Sequence, residues 1–273
     1  TCSASRAIES GAFMLTLRDF LVRGLLAGLI AGIAAFFVAY AVGEPPVAAS
    51  IAIEEAAGGH DHGDEAEEAA AAADEGTEVP RPVQSTVGLA TGMLVLGTAL
   101  GGATGLLTGA AMGRLFSRTN VRATALAVSG VAFVTLFFVP YLIYPPNPPA
   151  VGNGETIGYR TALYFAMVAL SIAGAAIALA LARNLRHQIG SWYAGLAGVA
   201  TYVVIAVAAL GVMPRYDEVP AEGFPPSLLW EFRLSSLLVQ IVLWGVIGVV
   251  LAELSHRAVA QKAAPRPTQL IDA

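Results

Sequence analysis

Two histidines bracketing an aspartate, His60-Asp61-His62, are the residues of this chain best equipped to hold a metal ion. They lie in the stretch GGHDHGDEAEE, where Asp64, Glu65, Glu67 and Glu68 follow closely. Neutral imidazole and carboxylate suit borderline divalent ions such as Co, Ni, Zn and Cu. Gly58, Gly59 and Gly63 leave the backbone free to fold around an ion. The candidate metal ligands are therefore His60, His62, Asp61 and Asp64. A flexible site loses entropy when it orders, so modest affinity suited to capture and release is expected. These donors do not select one metal, since such a set holds Cu and Zn at least as well as Co. The alternative is a solvated acidic spacer in which the histidines do nothing.

Other polar residues are scarcer. No ionisable residue falls in the middle of an apolar run, where proton-coupled transporters usually carry one. The most interior strong polar group is Gln240, with Ser235 and Ser236 one turn before it; interhelical hydrogen bonding is the plainer role for these. Glu231 and Arg233 stand at the mouth of the same run, where they either pair or leave Glu231 facing a passing cation. Trp230, Trp192 and Tyr144 fall near run boundaries and read as interfacial anchors. His187 and His256 lie among arginines, an unfavourable setting for a cation. Enzyme signatures are missing: there is no GK[ST] phosphate loop, no G-x-S-x-G elbow, no HExxH helix and a single cysteine, Cys2. No catalysis is expected.

The elements that must position these groups follow from composition. The chain has 273 residues, 56% hydrophobic and only 13% charged, with a mean hydropathy of +0.67. Soluble domains carry about 25% charged residues, so this chain cannot cover a water-facing surface. Its apolar residues come in runs, at about 20–42, 87–113, 123–143, 160–182, 192–212 and 233–251. Each is long enough to cross roughly 30 Å of hydrocarbon, and each must be helical to satisfy its backbone in lipid. The expectation is an all-α polytopic membrane protein with about six transmembrane helices. Gly24, Gly28 and Gly32 in the first run, and Gly97, Gly101, Gly105, Gly109 and Gly113 in the second, recur at four-residue spacing. Such spacing lets helix backbones approach closely; the other use of a bare face is to line a narrow path.

Charge sets the orientation. Arg6, Arg18, Arg23, Arg114, Arg118, Arg122, Arg183, Arg186, Arg257, Lys262 and Arg266 fall on one side of a six-span arrangement, and Arg81, Arg160, Arg215 and Arg233 on the other. The first side is then cytoplasmic and holds both termini. Residues 1–13 read as a leader or start-site artefact, because Met14 opens a more natural membrane-protein start. Residues 14–255 form the membrane domain, 43–86 an acidic, disordered outer loop, and 256–273 a cytoplasmic tail. The net charge of -5, without clustered Lys and Arg, excludes a nucleic-acid partner.

Three stretches resemble the CbtA family, described as the predicted membrane subunit of a cobalt transporter. They are HDHGDE, YPPNPPAVGNGETIGYRTALYF and PPSLLWEFRLSSLLVQIVLW, and the likeness spans about 14–255. The resemblance implies cobalt as the transported substrate, with no permanently bound cofactor, and a small single-span CbtB-like partner subunit. It implies a cytoplasmic-membrane location. It also carries His60 and His62, with Asp61 or Asp64, over as ligands, and makes Asn147, Asn153, Glu155, Glu231, Arg233 and Gln240 the candidates for a transport path. A non-transporting scaffold or accessory subunit is the rival reading.

Overall fold

The computed structural model describes residues 15–58, 80–116, 120–216, 218–219 and 223–263. Among them there is no strand. The α-helical elements are α1 (Leu17–Val38), α2 (Glu44–Gly58), α3 (Arg81–Val83), α4 (Leu89–Ala111), α5 (Val121–Phe133), α6 (Val139–Ile143), α7 (Ile157–Val212) and α8 (Pro226–Ala263). Short π-helical turns, Ala39–Gly43, Gln84–Gly88 and Val134–Phe138, join α1 to α2, α3 to α4 and α5 to α6. Five continuous helices are long and apolar enough to cross a membrane: Leu17–Ala56, Arg81–Ala111, Val121–Ile143, Gly154–Val212 and Pro226–Lys262. Large apolar side chains such as Phe37, Val203 and Val249 stand exposed along them, as lipid-facing residues must. The molecule is a multi-pass membrane protein.

Each π turn lies beside proline. A helical proline removes one N–H and crowds the carbonyl four residues back, and a π turn is a common way to absorb the mismatch. Pro140 deprives the Leu136 carbonyl of its usual donor, and the Tyr164 hydroxyl donates to that carbonyl at 3.0 Å. At the turn Gln84–Gly88 the Thr86 hydroxyl donates to the Pro82 carbonyl at 2.6 Å.

α7 contains 56 residues, which at 1.5 Å per residue is roughly 84 Å, far beyond one bilayer crossing. It is interrupted at Gly190, whose φ of 79° and ψ of 164° are not helical. On either side the chain doubles back. The Ser171 hydroxyl lies 2.7 Å from that of Tyr202, a Cβ on Gly174 would meet Ile205, and Gly198 sits against Ala178 and Ala182. Residues 157–189 and 191–212 are thus two antiparallel helices joined at one glycine. The sequence reading places a basic inner loop there; the helix instead runs through Arg183 and Arg186 to the break.

Of the outer loop expected over 43–86, residues 44–58 and 81–88 are helical, and 59–79 lie outside the described residues. Ala and Glu, which make the segment look solvated, are also strong helix formers. The Arg81 guanidinium pairs with Glu44 at 2.5 Å, joining the two ends of the intervening segment.

The chain divides into two compact units. The first comprises Thr1–Ala34, Thr91–Gly130 and Val242–Ala273. Its core is a glycine seam: Gly24, Gly28 and Gly32 lie directly on Gly97, Gly101 and Gly105. A Cβ on Gly97 would stand 2.6 Å from the Gly28 carbonyl oxygen. The regular glycine spacing is therefore a packing face. Beside it Ala27, Ala125, Leu251 and Ala252 form a small-residue core, and the Ser129 hydroxyl donates to the Trp244 carbonyl at 2.7 Å. Thr16 and Asp19 cap α1 reciprocally, and Asp19 pairs with Lys262 at 2.9 Å.

The second unit comprises Ala35–Ala90 and Val131–Ile241. Its core gathers Val139, Tyr144, Met167 and Ala206, with Tyr164, Tyr202 and Tyr216 packed against them.

Candidate functional site

The polar part of the second unit is built on the proline-rich segment between α6 and α7. α6 stops at Ile143 and the chain runs irregularly through Tyr144-Pro-Pro-Asn-Pro-Pro before a short 3-10 turn, Gly154–Thr156, starts α7. Consecutive prolines bar a helix here and make the segment stiff. Tyr144 is buried, its ring stacked on Tyr216 with centroids 5.4 Å apart and planes 3° apart. Its hydroxyl donates to the Pro214 carbonyl at 2.6 Å. It is therefore not the interfacial anchor its position in sequence suggests; the ring-to-ring contact draws it inward. Trp192 and Trp230 do stand exposed near helix ends.

Glu218 fixes this segment. One carboxylate oxygen accepts from the Thr156 hydroxyl at 2.5 Å; the other accepts from the Asn153 backbone N–H at 3.0 Å and faces the Arg160 Nε at 3.2 Å. Those bonds, from Thr156 first and then Asn153, with the Arg160 charge beside them, hold the Glu218 carboxyl below the usual glutamate range. Gly152, at φ 125°, lets the Arg160 guanidinium lie on the backbone, where a Cβ would stand 2.7 Å from it. Arg160 also donates to the Asn153 carbonyl at 3.0 Å. Burial pushes the Tyr144 and Tyr216 hydroxyls above the ordinary phenol range.

Two cavities open on this framework. One, of about 510 Å³, is lined among others by Tyr141, Tyr144, Arg160, Thr161, Tyr164 and Tyr216. The other, of about 670 Å³, is lined by Leu142, Ile143, Pro145, Asn147, Arg215, Tyr216, Glu218, Val219 and Arg233. They share Pro145, Asn147 and Tyr216.

The residues singled out from sequence fall as follows. Asn147 and Arg233 meet: an Arg233 terminal nitrogen donates to Asn147 Oδ1 at 2.9 Å, and both line the larger cavity. Arg233 thus pairs with Asn147 and not with Glu231. Two positions apart on a helix, side chains point different ways, and Glu231 is exposed. The Tyr141 hydroxyl donates to the Arg233 carbonyl at 3.0 Å. Asn153 caps the turn ahead of α7 by accepting from the Glu155 N–H at 2.9 Å, and Glu155 itself is exposed. Gln240 is half-buried on α8, two turns beyond Arg233, and lines neither cavity. His60, His62, Asp61 and Asp64 lie outside the described residues. Among the described residues no group of three or more His, Cys, Asp or Glu is placed to hold a metal. Sequence reasoning missed Glu218, Thr156, Arg160 and Tyr216 as organisers of the site. Their partners are some sixty residues away in the chain, as Thr156 and Glu218 are at a separation of 62, and no spacing rule connects them.

A family model described as "Probable cobalt transporter subunit (CbtA)" matches residues 17–256. The chain belongs to the CbtA family. The CbtA match takes in the glycine seam, the proline-rich segment and both cavities, so these are parts of a probable cobalt transporter subunit. No curated protein and no solved structure matches the chain.

Proposed function

We propose that this chain is the membrane component of a divalent metal uptake system of the cytoplasmic membrane, with cobalt as its substrate. Membership of the CbtA family over 17–256 is the observation that carries this reading. In it, each arm of the α7 hairpin is a separate span, giving six crossings and cytoplasmic termini. His60 and His62, with Asp61 and Asp64, concentrate the ion outside. The proline-rich segment with Asn147, Asn153 and Glu155, and the α8 residues Glu231, Arg233 and Gln240, border its way inward. The chain binds and moves its substrate without transforming it, and a small single-span CbtB-like subunit is its partner. The membrane potential supplies about 2.3 kcal/mol per charge per 100 mV, so a dication gains about 4.6 kcal/mol per 100 mV on moving inward.

The second reading is a non-transporting scaffold or accessory subunit. It is favoured by the glycine seam, whose bare helix faces are taken up by packing against each other. The two separate on one variant. Cells lacking other cobalt importers and expressing the His60→Ala/His62→Ala chain accumulate less cobalt than parent cells at scarce metal if the loop captures the ion. Equal accumulation contradicts capture by the loop.

A further inference from the structure

The larger cavity has the wrong sign for a bare dication. Arg215 and Arg233 reach its wall, Arg160 lines the adjoining one, and among the described residues Glu218 is the one carboxylate in either lining. Both Glu218 oxygens are already occupied, by Thr156, by the Asn153 N–H and by Arg160. The neutral oxygen best placed for a cation, Asn147 Oδ1, accepts from Arg233 instead. Donors, by contrast, are left over. Arg233 Nε is buried with no hydrogen-bond partner, and Arg215 is exposed and makes no ion pair among the described residues. Leu142, Ile143, Pro145 and Val219 supply the remaining wall, which suits a ligand with a carbon skeleton.

We infer that this cavity binds a small organic anion carrying two or more carboxylates. Resting on the uptake reading, the metal then arrives at the cavity as the chelate of such an anion, not as the aquo ion, and the dication leaves the anion there before it crosses. Guanidinium forks match carboxylates bidentately, and two guanidinium side chains, Arg215 and Arg233, share this one wall. A chelate with net negative charge reverses the Coulomb repulsion that a dication would meet between Arg215 and Arg233. The cavity's size falls within the range of small-molecule sites, roughly 300–1,000 Å³.

The test uses the purified chain in nanodiscs, titrated calorimetrically with citrate, with sulfate at equal ionic strength, with Co²⁺ alone and with Co²⁺ premixed with excess citrate. Saturable citrate binding is expected, at least tenfold tighter than sulfate. Arg215→Gln and Arg233→Gln should each weaken it about tenfold, the scale of one charged hydrogen-bonding group. Co²⁺ alone should titrate identically in parent and variants, while Co²⁺ with citrate should follow citrate. Arg215 is exposed and makes no ion pair among the described residues, so Arg215→Gln remains interpretable where Arg233→Gln unfolds. Absent citrate binding, sulfate binding as tight as citrate, or citrate binding unchanged in Arg215→Gln would each overturn the inference. Cobalt accumulation in cells separates the two readings. Accumulation without citrate binding sinks the anion site alone; citrate binding without accumulation sinks the uptake reading and leaves the anion site standing.

Discussion

Replacing Gly97 with alanine tests the physical account of the first unit. The new Cβ would stand 2.6 Å from the Gly28 carbonyl oxygen and 2.9 Å from the Gly32 Cα. Both are backbone atoms and cannot rotate away. Ordinary contact begins near 3.4 Å, so the two helices must part by close to 1 Å along the seam. A gap of 0.5–1 Å forfeits a quarter to a half of each van der Waals well, which is about 0.1–0.2 kcal/mol per atom pair. Taking roughly 40 pairs for the seam, as for one buried leucine, the loss is about 2 kcal/mol, within the usual range for overpacking. Gly92 provides the control, because nothing lies within 4 Å of a Cβ there; Gly92→Ala should gain about 0.5–1 kcal/mol through helix propensity. Gly102→Ala should fall between, since its new neighbour is the tip of the Leu25 side chain at 2.8 Å. Denaturant titration in mixed micelles, followed by circular dichroism, ranks the three. Gly97→Ala as stable as Gly92→Ala would refute the seam.

Two further outcomes follow from single positions. Gly190 has φ 79° and ψ 164°, a region open essentially to glycine alone, so Gly190→Ala should cost about 1–3 kcal/mol. Asparagine, which often rescues ordinary left-handed positions, should not rescue this one; micellar unfolding of both variants beside Gly195→Ala checks it. Glu218 is held below the ordinary glutamate value of 4.5. A carboxylate lowered by folding stabilises the fold above that value, and the contribution is lost as pH falls through the lowered one. Hydrogen-exchange protection factors in residues 144–156 should therefore fall on the acid side of 4.5 in the parent, whereas in Glu218→Gln they should be low already and flat across that window.

The spans were legible because lipid imposes a single pattern, an uncharged run long enough to cross, and the 23 residues of α4 obey it without exception. The glycine seam was legible for a similar reason: four-residue spacing leaves one bare face whatever helix it meets. The run from Glu44 to Gly58 was not. Its alanines and glutamates serve a helix and a solvated loop equally, and Pro45 and Pro46 look like a stop until the π turn before them accommodates their rings. The hairpin of α7 was half legible. Two apolar runs flank Arg183, Arg186 and His187, but a turn made by one glycine, with helix on both sides, leaves no loop composition to read. At the site, Asn147 and Arg233 stood out as polar residues in unusual stretches, although their hydrogen bond to each other did not. Glu218 was invisible because its role depends on Thr156, Asn153 and Arg160, which only the folded chain brings to it.

Cobalt influx into proteoliposomes tests the central claim most directly. Vesicles holding the chain, alone and with the single-span CbtB-like subunit proposed as its partner, are given an inside-negative potential and external labelled cobalt. Transport of a dication predicts influx that rises with the potential, toward an equilibrium ratio on the order of 10³ per 100 mV, and that empty vesicles lack. Influx no greater than in empty vesicles, with and without the partner and with the chain correctly inserted, would contradict it.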